Sequence, residues 1–268
     1  MTSRLERSAS YLILGLAALL ALYPMGLILT TALGPDQVGA EGGIHVENFA
    51  TAWELGNFGT YLKNSVIVSV AVVVLSAVLA SLAGYAFGTM RFRGSNVLFY
   101  LLLLGLMVPS EAVVIPLYYD LRELNLTNTY VSLILPQVAQ SLAFGTFWMR
   151  AYFRSASREV VEAARVDGAG HARIFWSILL PMGRPALMTM VLLIFMWTWN
   201  EFLLPLVMIT DESLRTAPLG LSNFKGQYTE GTALLAAGAV LVALPVVVVF
   251  LFTQRHFIRG MVEGAVKG

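Results

Sequence analysis

The residues of this sequence that could bind or move a polar ligand are ionisable and amide side chains inside apolar stretches. Glu111, Asn200 and Glu201 lie in such stretches, and Trp199 precedes the last two. An ionisable group at membrane depth costs on the order of 3 kcal/mol unless it faces protein or water. These four residues are therefore candidates for a polar path, with the indole available to stack on a ligand. Further aromatic candidates for stacking are Tyr119, Trp197 and Phe202.

Each of these candidates also has a simpler interpretation. Glu111 lies beside Pro109 and Ser110, near a predicted outer vestibule. Asn200 and Glu201 are alternatively expected to hydrogen-bond the backbone of a bent helix. Aromatic side chains are more often anchors at membrane interfaces or between helices than ligand contacts.

Motifs for nucleotide hydrolysis and for the common hydrolases are absent from the sequence. It contains no G-x-x-x-x-G-K-[ST] phosphate loop and no H-E-x-x-H, G-x-S-x-G or H-R-D motif. There is no Cys, and His45, His171 and His256 are far apart, which gives no pattern of a metal site. We therefore expect neither an enzyme nor a chain that binds a cofactor or metal. The net charge of +1 gives no indication of nucleic acid binding.

A charged segment, EAARVDGAGHARIFWSILLP, spans residues 162–181 between two strongly apolar stretches. We predict a first helix that a Ser157 side chain caps, with Glu162 pairing with Arg158 and Arg165 at spacings of four and three. Glycines at 168 and 170 are expected to end it.

The second half of this segment has the pattern of an amphipathic helix. Its apolar residues fall at spacings of one, three and four; they are Ile174, Phe175, Ile178 and Leu179. Pro181 is expected to end this helix. The sequence thus predicts a helix, a tight turn and a second helix.

The amino-acid composition indicates that membrane-spanning segments position the candidate residues described above. Hydrophobic residues make up 57% of the 268 residues, charged residues only 12%, and the mean hydropathy is +0.74. A soluble domain has about 25% charged residues, so this is a membrane protein. Apolar stretches long enough to span a membrane cover residues 11–33, 66–90, 97–119, 130–153, 185–210 and 232–252. We interpret the first as an uncleaved anchor, because no clear small-residue cleavage site follows it.

The distribution of positive charge predicts the orientation of these spans. With both termini in the cytoplasm, thirteen of the 17 Lys and Arg residues fall in inner segments or span ends, and the outer segments hold only Lys63, Arg122, Arg215 and Lys225. Cytoplasmic loops of membrane proteins retain positive charge. The charged segment after the fourth span is therefore expected to face the cytoplasm.

Small residues recur every four positions along the second span, at Ser76, Ala80, Gly84 and Gly88. Such a stripe on one helical face lets another helix approach closely. We predict tight helix packing at this stripe.

The charged segment resembles the EAA signature of the integral-membrane permease subunits of binding-protein-dependent ABC importers. The match comprises Glu162, Ala163 and Ala164, then Gly168, Ile178, Leu180 and Pro181. KNSVIVS (63–69), WNEFLLPL (199–206) and QRHFIRGMVEGAVKG (254–268) are similar to the maltose-type carbohydrate-uptake permeases, specifically to the smaller partner of their heterodimer. The resemblance implies an all-α integral membrane protein with the type I ABC importer permease fold. That fold would have six transmembrane helices, both termini in the cytoplasm and a cytoplasmic EAA coupling helix.

The same resemblance implies two contacts with a separate ATPase that holds ATP and Mg. The coupling helix would sit in a groove of the ATPase through Glu162, Ala163, Ala164, Arg165, Asp167 and Gly168. The tail would reach the interface of the ATPase dimer through Gly264, Ala265, Val266, Lys267 and Gly268. The alternatives are a connecting pair of surface helices and a disordered terminus.

On the outer side, the resemblance assigns residues 211–231 to an extracytoplasmic solute-binding protein. Gly226, Gln227 and Tyr228 are the expected inserting tip; the alternative is an ordinary, if long, polar connection. The other implied partners are a second permease subunit, two ATPase domains and membrane lipid, without nucleic acid. The implied location is the inner or plasma membrane of a prokaryote, as a multi-pass protein.

Together these predictions divide the chain into three regions and assign it a transport function. Residues 1–60 would hold the N-terminal end, the first span and an outer loop, 61–257 the permease core with its coupling loop at 154–185, and 258–268 the tail. The predicted function is ATP-driven import of a sugar or sugar-like solute by alternating access. The alternatives are an ion-coupled secondary transporter, for which no matching pair of broken helices is evident, and a membrane enzyme or assembly factor.

Overall fold

The computed structural model describes residues 4–35, 43–224 and 232–265, with side chains except at 4, 5, 158 and 255–265. Two groups of predicted contacts lie outside the described residues. They are Gly226, Gln227 and Tyr228 of the outer loop, and Val266, Lys267 and Gly268 of the tail. The described residues form helices and contain no strand, in agreement with the predicted all-α class.

The described residues form α-helices that follow one another along the chain. They are α1 (Arg4–Ala32), α2 (Glu47–Leu55), α3 (Phe58–Thr89), α4 (Ser95–Met107), α5 (Ser110–Glu123), α6 (Tyr130–Ser155), α7 (Arg158–Val166), α8 (His171–Ile174), α9 (Leu180–Met182), α10 (Arg184–Trp199), α11 (Leu203–Met208), α12 (Ala217–Gly220) and α13 (Thr232–Ala265). A π-helical turn, Phe175–Leu179, joins α8 to α9, and 3₁₀ turns cover Glu212–Leu214 and Leu221–Phe224.

Three of these helices, α1, α3 and α13, contain stretches long and apolar enough to cross a membrane. Two further pairs qualify only when taken together. The helix axis bends by 98° between α4 and α5, and by 77° between His171–Met182 and α10. By length and composition, the described residues thus contain three candidate spans, or up to five if each bent pair is one span. Six spans and their orientation stay predictions.

The predicted third and fifth stretches are not single straight helices. Val108 is extended (φ −83°, ψ 118°) because Pro109 follows it, and the chain turns there between α4 and α5. α10 ends at Trp199 and α11 begins at Leu203. Pro205 lacks the N–H that would reach the carbonyl of Glu201, so an α-helix does not continue across this break.

The predicted fourth stretch corresponds to α6, whose polar side chains make it less apolar than the other spans. Gln137, Ser141 and Thr146 are all buried against protein. A helix that packs inside a bundle does not need an apolar surface all round, because its polar face meets protein rather than lipid. Length and composition alone therefore do not place α6 among the spans.

The small-residue stripe of α3 packs against α6, as predicted. A Cβ placed on Gly84 would lie 2.7 Å from Cβ of Met149, and one placed on Gly145 would lie 2.7 Å from Cβ of Ala80. Real Cβ atoms do not approach this closely, so glycine is required for the helices to pack at this distance. Both α3 and α6 contribute buried residues to the apolar core, among them Val68, Val72, Leu133 and Met149.

The chain divides into two compact units, one comprising residues 1–59 and 219–245 and the other residues 60–218 and 246–268. In the first unit, the Asn48 amide donates to the carbonyls of Ala32 and Gly34, both at 2.9 Å. The rings of Phe58 and Phe224 stack there with centroids 6.2 Å apart. The second unit contains the charged segment and the cavities described below.

Candidate functional site

The charged segment contains α7, a glycine turn and a second helical stretch. Gly168 has φ +77°, its N–H donates to the carbonyl of Arg165 at 3.0 Å, and the N–H of Ala169 donates to that of Ala164 at 2.9 Å. This pair of bonds is a Schellman motif, which favours glycine at the left-handed position. The predicted cap is not made, because the Ser157 side chain forms no hydrogen bond with the first turn.

α7 has an inner and an outer face. Ala164 is buried, and Val161 packs against the same core. Four exposed positions recur at the helical spacing of three and four residues and form the outer face; they are Glu159, Glu162, Ala163 and Val166. Val166 is 89% exposed, although it is apolar. Of the two alanines predicted to face an ATPase, only Ala163 is therefore available to a partner.

The predicted pairing of Glu162 with Arg165 on α7 is not made. Glu162 and Arg165 are both exposed, and no ion pair joins them within the described side chains. The other predicted partner, Arg158, has a side chain outside the described residues. Asp167 is exposed at the C-cap of α7. The carboxylate of Glu162 is thus directed to solvent.

The second helical stretch runs from His171 to Met182 and is held by tyrosines from α3 and α6. Tyr85 Oη lies 3.2 Å from His171 Nδ1, and Tyr152 Oη donates to the carbonyl of Leu179 at 2.8 Å. The Tyr152 ring also fills the space that a side chain at Gly183 would need. Pro181 does not end the helix as predicted, because Leu180–Met182 is still helical and the bend comes at Gly183.

The segment that leads into the predicted outer loop is fixed by buried polar side chains. Asn64 Nδ2 donates to the carbonyls of Ser213 and Arg215, both at 2.8 Å. Ser65 Oγ accepts from the N–H of Ala217 at 2.9 Å. Both residues belong to the KNSVIVS segment, so its polar positions hydrogen-bond backbone groups about 150 residues later in the chain.

A third side chain, Asn128, fixes the start of the same segment. Asn128 Oδ1 accepts from the N–H groups of Thr210 and Asp211, at 3.0 and 2.9 Å. The pKa of the Asp211 carboxyl lies below its usual value, because the backbone N–H of Ser213 donates to it at 2.8 Å. The backbone from 210 to 217 is therefore held at several points.

Two neighbouring cavities lie among α4, α5, α6 and α10. The larger, of about 600 Å³, is lined on one side by the α6 residues Gln137, Gln140, Ser141 and Phe144. The smaller, of about 350 Å³, shares Ser110, Gln137, Gln140 and Glu201 with it. The walls thus combine amides, hydroxyls and carboxylates with aromatic rings, and no Lys or Arg is among their described residues.

The predicted path residues divide between these cavities and the core. Glu111 lines the smaller cavity, Asn200 the larger and Glu201 both. Trp199 lines neither; it is only 2% exposed and its ring lies 5.5 Å from that of Phe195. The indole that lines the larger cavity is Trp197, which is 51% exposed.

Asn200 and Glu201 also stabilise the break between α10 and α11. Asn200 Nδ2 donates to the carbonyl of Met196 at 2.7 Å, and Glu201 Oε1 accepts from the N–H of Leu204 at 3.0 Å. The alternative role in backbone hydrogen bonding therefore applies to both. Within the described ranges, no group of three or more acidic or His side chains is placed to hold a metal.

Residues 78–262 match the family described as binding-protein-dependent transport system inner membrane component, over more than half of the chain. The chain belongs to this family. The predicted kind of protein, an ABC importer permease, is thereby confirmed, as is its place in the inner membrane.

Relatives of this inner membrane component are named as sugar permeases. The chain is 39% identical over 215 residues to the arabinooligosaccharides transport system permease protein AraQ of Halalkalibacterium halodurans, covering 80% of this chain and 76% of that protein. It is 32% identical over 255 residues to the trehalose transport system permease protein SugB of Mycobacterium tuberculosis, covering 92% and 93%.

The fold of this inner membrane component also resembles a solved ABC transporter. The similarity is to a chain in the crystal structure of a bacterial ABC transporter involved in the import of the acidic polysaccharide alginate, with a TM-score of 0.76 and 25% identity. It covers 96% of this chain and 99% of that one. The chain therefore has the fold of type I ABC importer permeases.

The residues that the sequence suggested for the polar path of this permease did not include the polar face of α6. Gln137, Gln140, Ser141 and Phe144 recur at the helical spacing of three, four and seven residues, and this pattern is visible in the sequence. The long-range hydrogen bonds of Asn64 and Asn128 have no comparable signal, because their partners lie about 150 and 80 residues later in the chain.

Proposed function

We propose that this chain is the permease subunit of an importer that carries a sugar or sugar-like solute and is driven by an ATPase on a separate subunit. Its membership of the family of binding-protein-dependent inner membrane components carries this proposal. Relatives named for arabinooligosaccharides and trehalose support the solute class. The proposed topology has six spans with both termini in the cytoplasm, where α4 with α5, and α10 with α11, each form one bent span.

In this account α7 is the coupling helix that docks in a groove of the ATPase. Its exposed face combines an apolar knob, Val166, with the small residue Ala163 and the carboxylate of Glu162. A small residue allows close approach of the two backbones, and a free carboxylate suits a basic group of a partner. The Schellman turn at Gly168 fixes the end of α7. The tail at Gly264 and Ala265 is the proposed second contact.

Motion of α7 would reach the spans through packed side chains. Val161 and Ala164 join α7 to the core, and the Tyr85 and Tyr152 hydrogen bonds join α3 and α6 to the stretch that precedes α10. A close-packed interior transmits displacement because it has little free volume to absorb it. ATP binding would thus tilt the spans to open the path outward, and hydrolysis would return them.

The partners in this account are a second permease subunit, two ATPase domains with ATP and Mg, and an extracytoplasmic binding protein. The binding protein would contact the loop that starts at Asp211. Asn64, Ser65 and Asn128 hold the beginning of that loop in place. A preformed platform lowers the entropy lost when a partner binds.

The cavities described above are the proposed solute path. Amide and hydroxyl groups can hydrogen-bond the hydroxyls of a sugar, and the rings of Phe144 and Trp197 can pack on its apolar face. Glu111 and Glu201 place carboxylates there without a Lys or Arg among the described lining residues. We therefore propose a neutral or amine-bearing saccharide rather than an acidic one.

The experiment that tests this function is uptake into vesicles that contain this chain with the products of its neighbouring reading frames. Uptake should require ATP, the binding protein and this chain. An ion gradient without ATP should give no uptake. Ion-driven uptake by this chain alone would instead establish the secondary transporter that the sequence left as an alternative.

A further inference from the structure

A polar cleft of about 820 Å³ lies beside α7, away from the solute cavities. Its walls are the last turn of α3 with residues 90–92, the end of α6, the Val161–Arg165 side of α7, and His171. In the proposed topology this is the cytoplasmic end of the spans, and the inference below rests on that part of the proposed function.

Three arginines concentrate positive charge in the cleft, and the fold itself does not use this charge. Arg91, Arg154 and Arg165 line it together with His171, against the single carboxylate of Glu162. All five are exposed. The three arginines have no hydrogen bond or ion pair to any described side chain or backbone group.

A neighbouring arginine, Arg150, is by contrast held in contacts within the fold. Arg150, one turn earlier on α6 than Arg154, donates from Nε to the carbonyl of Phe87 at 3.3 Å and lies 3.8 Å above the centre of the Phe99 ring. Its positive charge therefore serves the packing of α3, α4 and α6. The arginines of the cleft have no such structural role and are free for an anionic ligand.

Apolar side chains border the same cleft. Met90 and Phe92 line it and are 37% and 40% exposed, and Phe153 and Val161 form part of its wall. A ligand that contacts both the arginines and the apolar side chains of the cleft has an anionic head and an apolar body. Free phosphate would use the arginines alone and leave Met90 and Phe92 in water.

We infer that this cleft binds the headgroup of an anionic phospholipid, with the phosphate between Arg91 and Arg154 and the acyl chains against Met90 and Phe92. Basic pockets between spans on the cytoplasmic side suit such headgroups, because the positive charge adds to hydrophobic contact with the chains. The lipid would lie beside α7, next to the surface through which the ATPase drives the permease.

The test uses the transporter assembled with its partner subunits, in nanodiscs of phosphatidylcholine with and without phosphatidylglycerol. Native mass spectrometry measures the phosphatidylglycerol retained by the complex. Arg91→Gln and Arg154→Gln should each weaken retention about fivefold, as expected for one arginine at a membrane surface. Arg93→Gln is the matched control: it lies in the same turn as Arg91, is exposed and does not line the cleft. It should retain lipid as the wild type does.

Two results would overturn the inference. The first is equal retention by the Arg91→Gln, Arg154→Gln and Arg93→Gln complexes, each recovered intact by size exclusion. The second is binding of inorganic phosphate in pure phosphatidylcholine with the same dependence on Arg91 and Arg154, which would assign the cleft to a free anion. Lipid retention is measured without transport, so a complex that imports solute but retains no phosphatidylglycerol contradicts this inference and leaves the proposed function intact.

Discussion

Asn64 hydrogen-bonds the backbone carbonyl of Arg215, 151 residues later in the chain, at 2.8 Å. The same amide donates to Ser213, and its oxygen accepts from the hydroxyl of Tyr130 at 2.7 Å. One side chain that is 2% exposed thus joins α3, α6 and the segment that follows α11. The position of the proposed binding-protein platform depends on it.

Replacing Asn64 with Ala should therefore destabilise the protein and loosen this segment. Three hydrogen bonds are lost and the half-buried hydroxyl of Tyr130 loses its acceptor, at a cost of ~3 kcal/mol. We expect a lower Tm in detergent and a reduced stimulation of ATP hydrolysis by the binding protein. Asn96→Ala, an exposed position on α4, is the control and should leave both values unchanged. Equal Tm values for the two variants would mean that the Asn64 bonds add nothing.

The contact between α3 and α6 gives a second prediction, about packing. A Cβ at Gly84 would meet both the side chain and the backbone of Met149, so Gly84→Ala must push the two helices apart. Overpacking of this kind costs about 1–3 kcal/mol. Gly105→Ala on α4, where no atom lies within 4 Å of the added methyl group, should be neutral or stabilising. Thermal unfolding of the two variants compares them directly, and a Gly84→Ala protein as stable as Gly105→Ala would contradict the close approach.

The charge of the solute is the subject of a third prediction. Because carboxylates line the cavities without a described Lys or Arg, neutral and amine-bearing oligosaccharides should compete with the transported solute, and uronic acid oligosaccharides should not. Gln140→Ala removes an amide shared by both cavities. Its loss should raise the solute concentration at half-maximal uptake several-fold, as expected for one or two hydrogen bonds of about 1 kcal/mol each.

The matched control for this variant is Gln254→Ala on α13, whose amide donates to the carbonyl of Leu251. Uptake in reconstituted vesicles measures both effects. Strong competition by an acidic oligosaccharide, or an unchanged concentration dependence for Gln140→Ala, would count against these cavities as the path.

The elements that the sequence predicts well are those that local chemistry determines. The helix ending at Gly168 and the small-residue stripe of α3 follow from spacings of a few residues, and both are present. The bend between α4 and α5 was also signalled by Pro109, but counting apolar residues treats a bent pair as one helix.

Features that depend on contacts distant in sequence could not be predicted in the same way. Trp197 and Trp199 are two residues apart and equally apolar, yet the first lines a cavity and the second is buried. Which side of α10 faces a cavity is set by α6, and nothing near Trp199 in the sequence encodes it. The same holds for the two neighbouring alanines of α7, because Ala163 is exposed to solvent and Ala164 is buried in the core.

The most direct test of the account is the number of ATP molecules hydrolysed per solute imported by a transporter that carries Glu162→Ala. Glu123→Ala, an exposed carboxylate on α5, is the control. If α7 docks on the ATPase, Glu162→Ala should insert in the membrane normally but lose ATPase recruitment, or hydrolyse several-fold more ATP per solute, while Glu123→Ala behaves as the wild type. Normal recovery of the complex together with a wild-type ratio for Glu162→Ala would contradict the docking role.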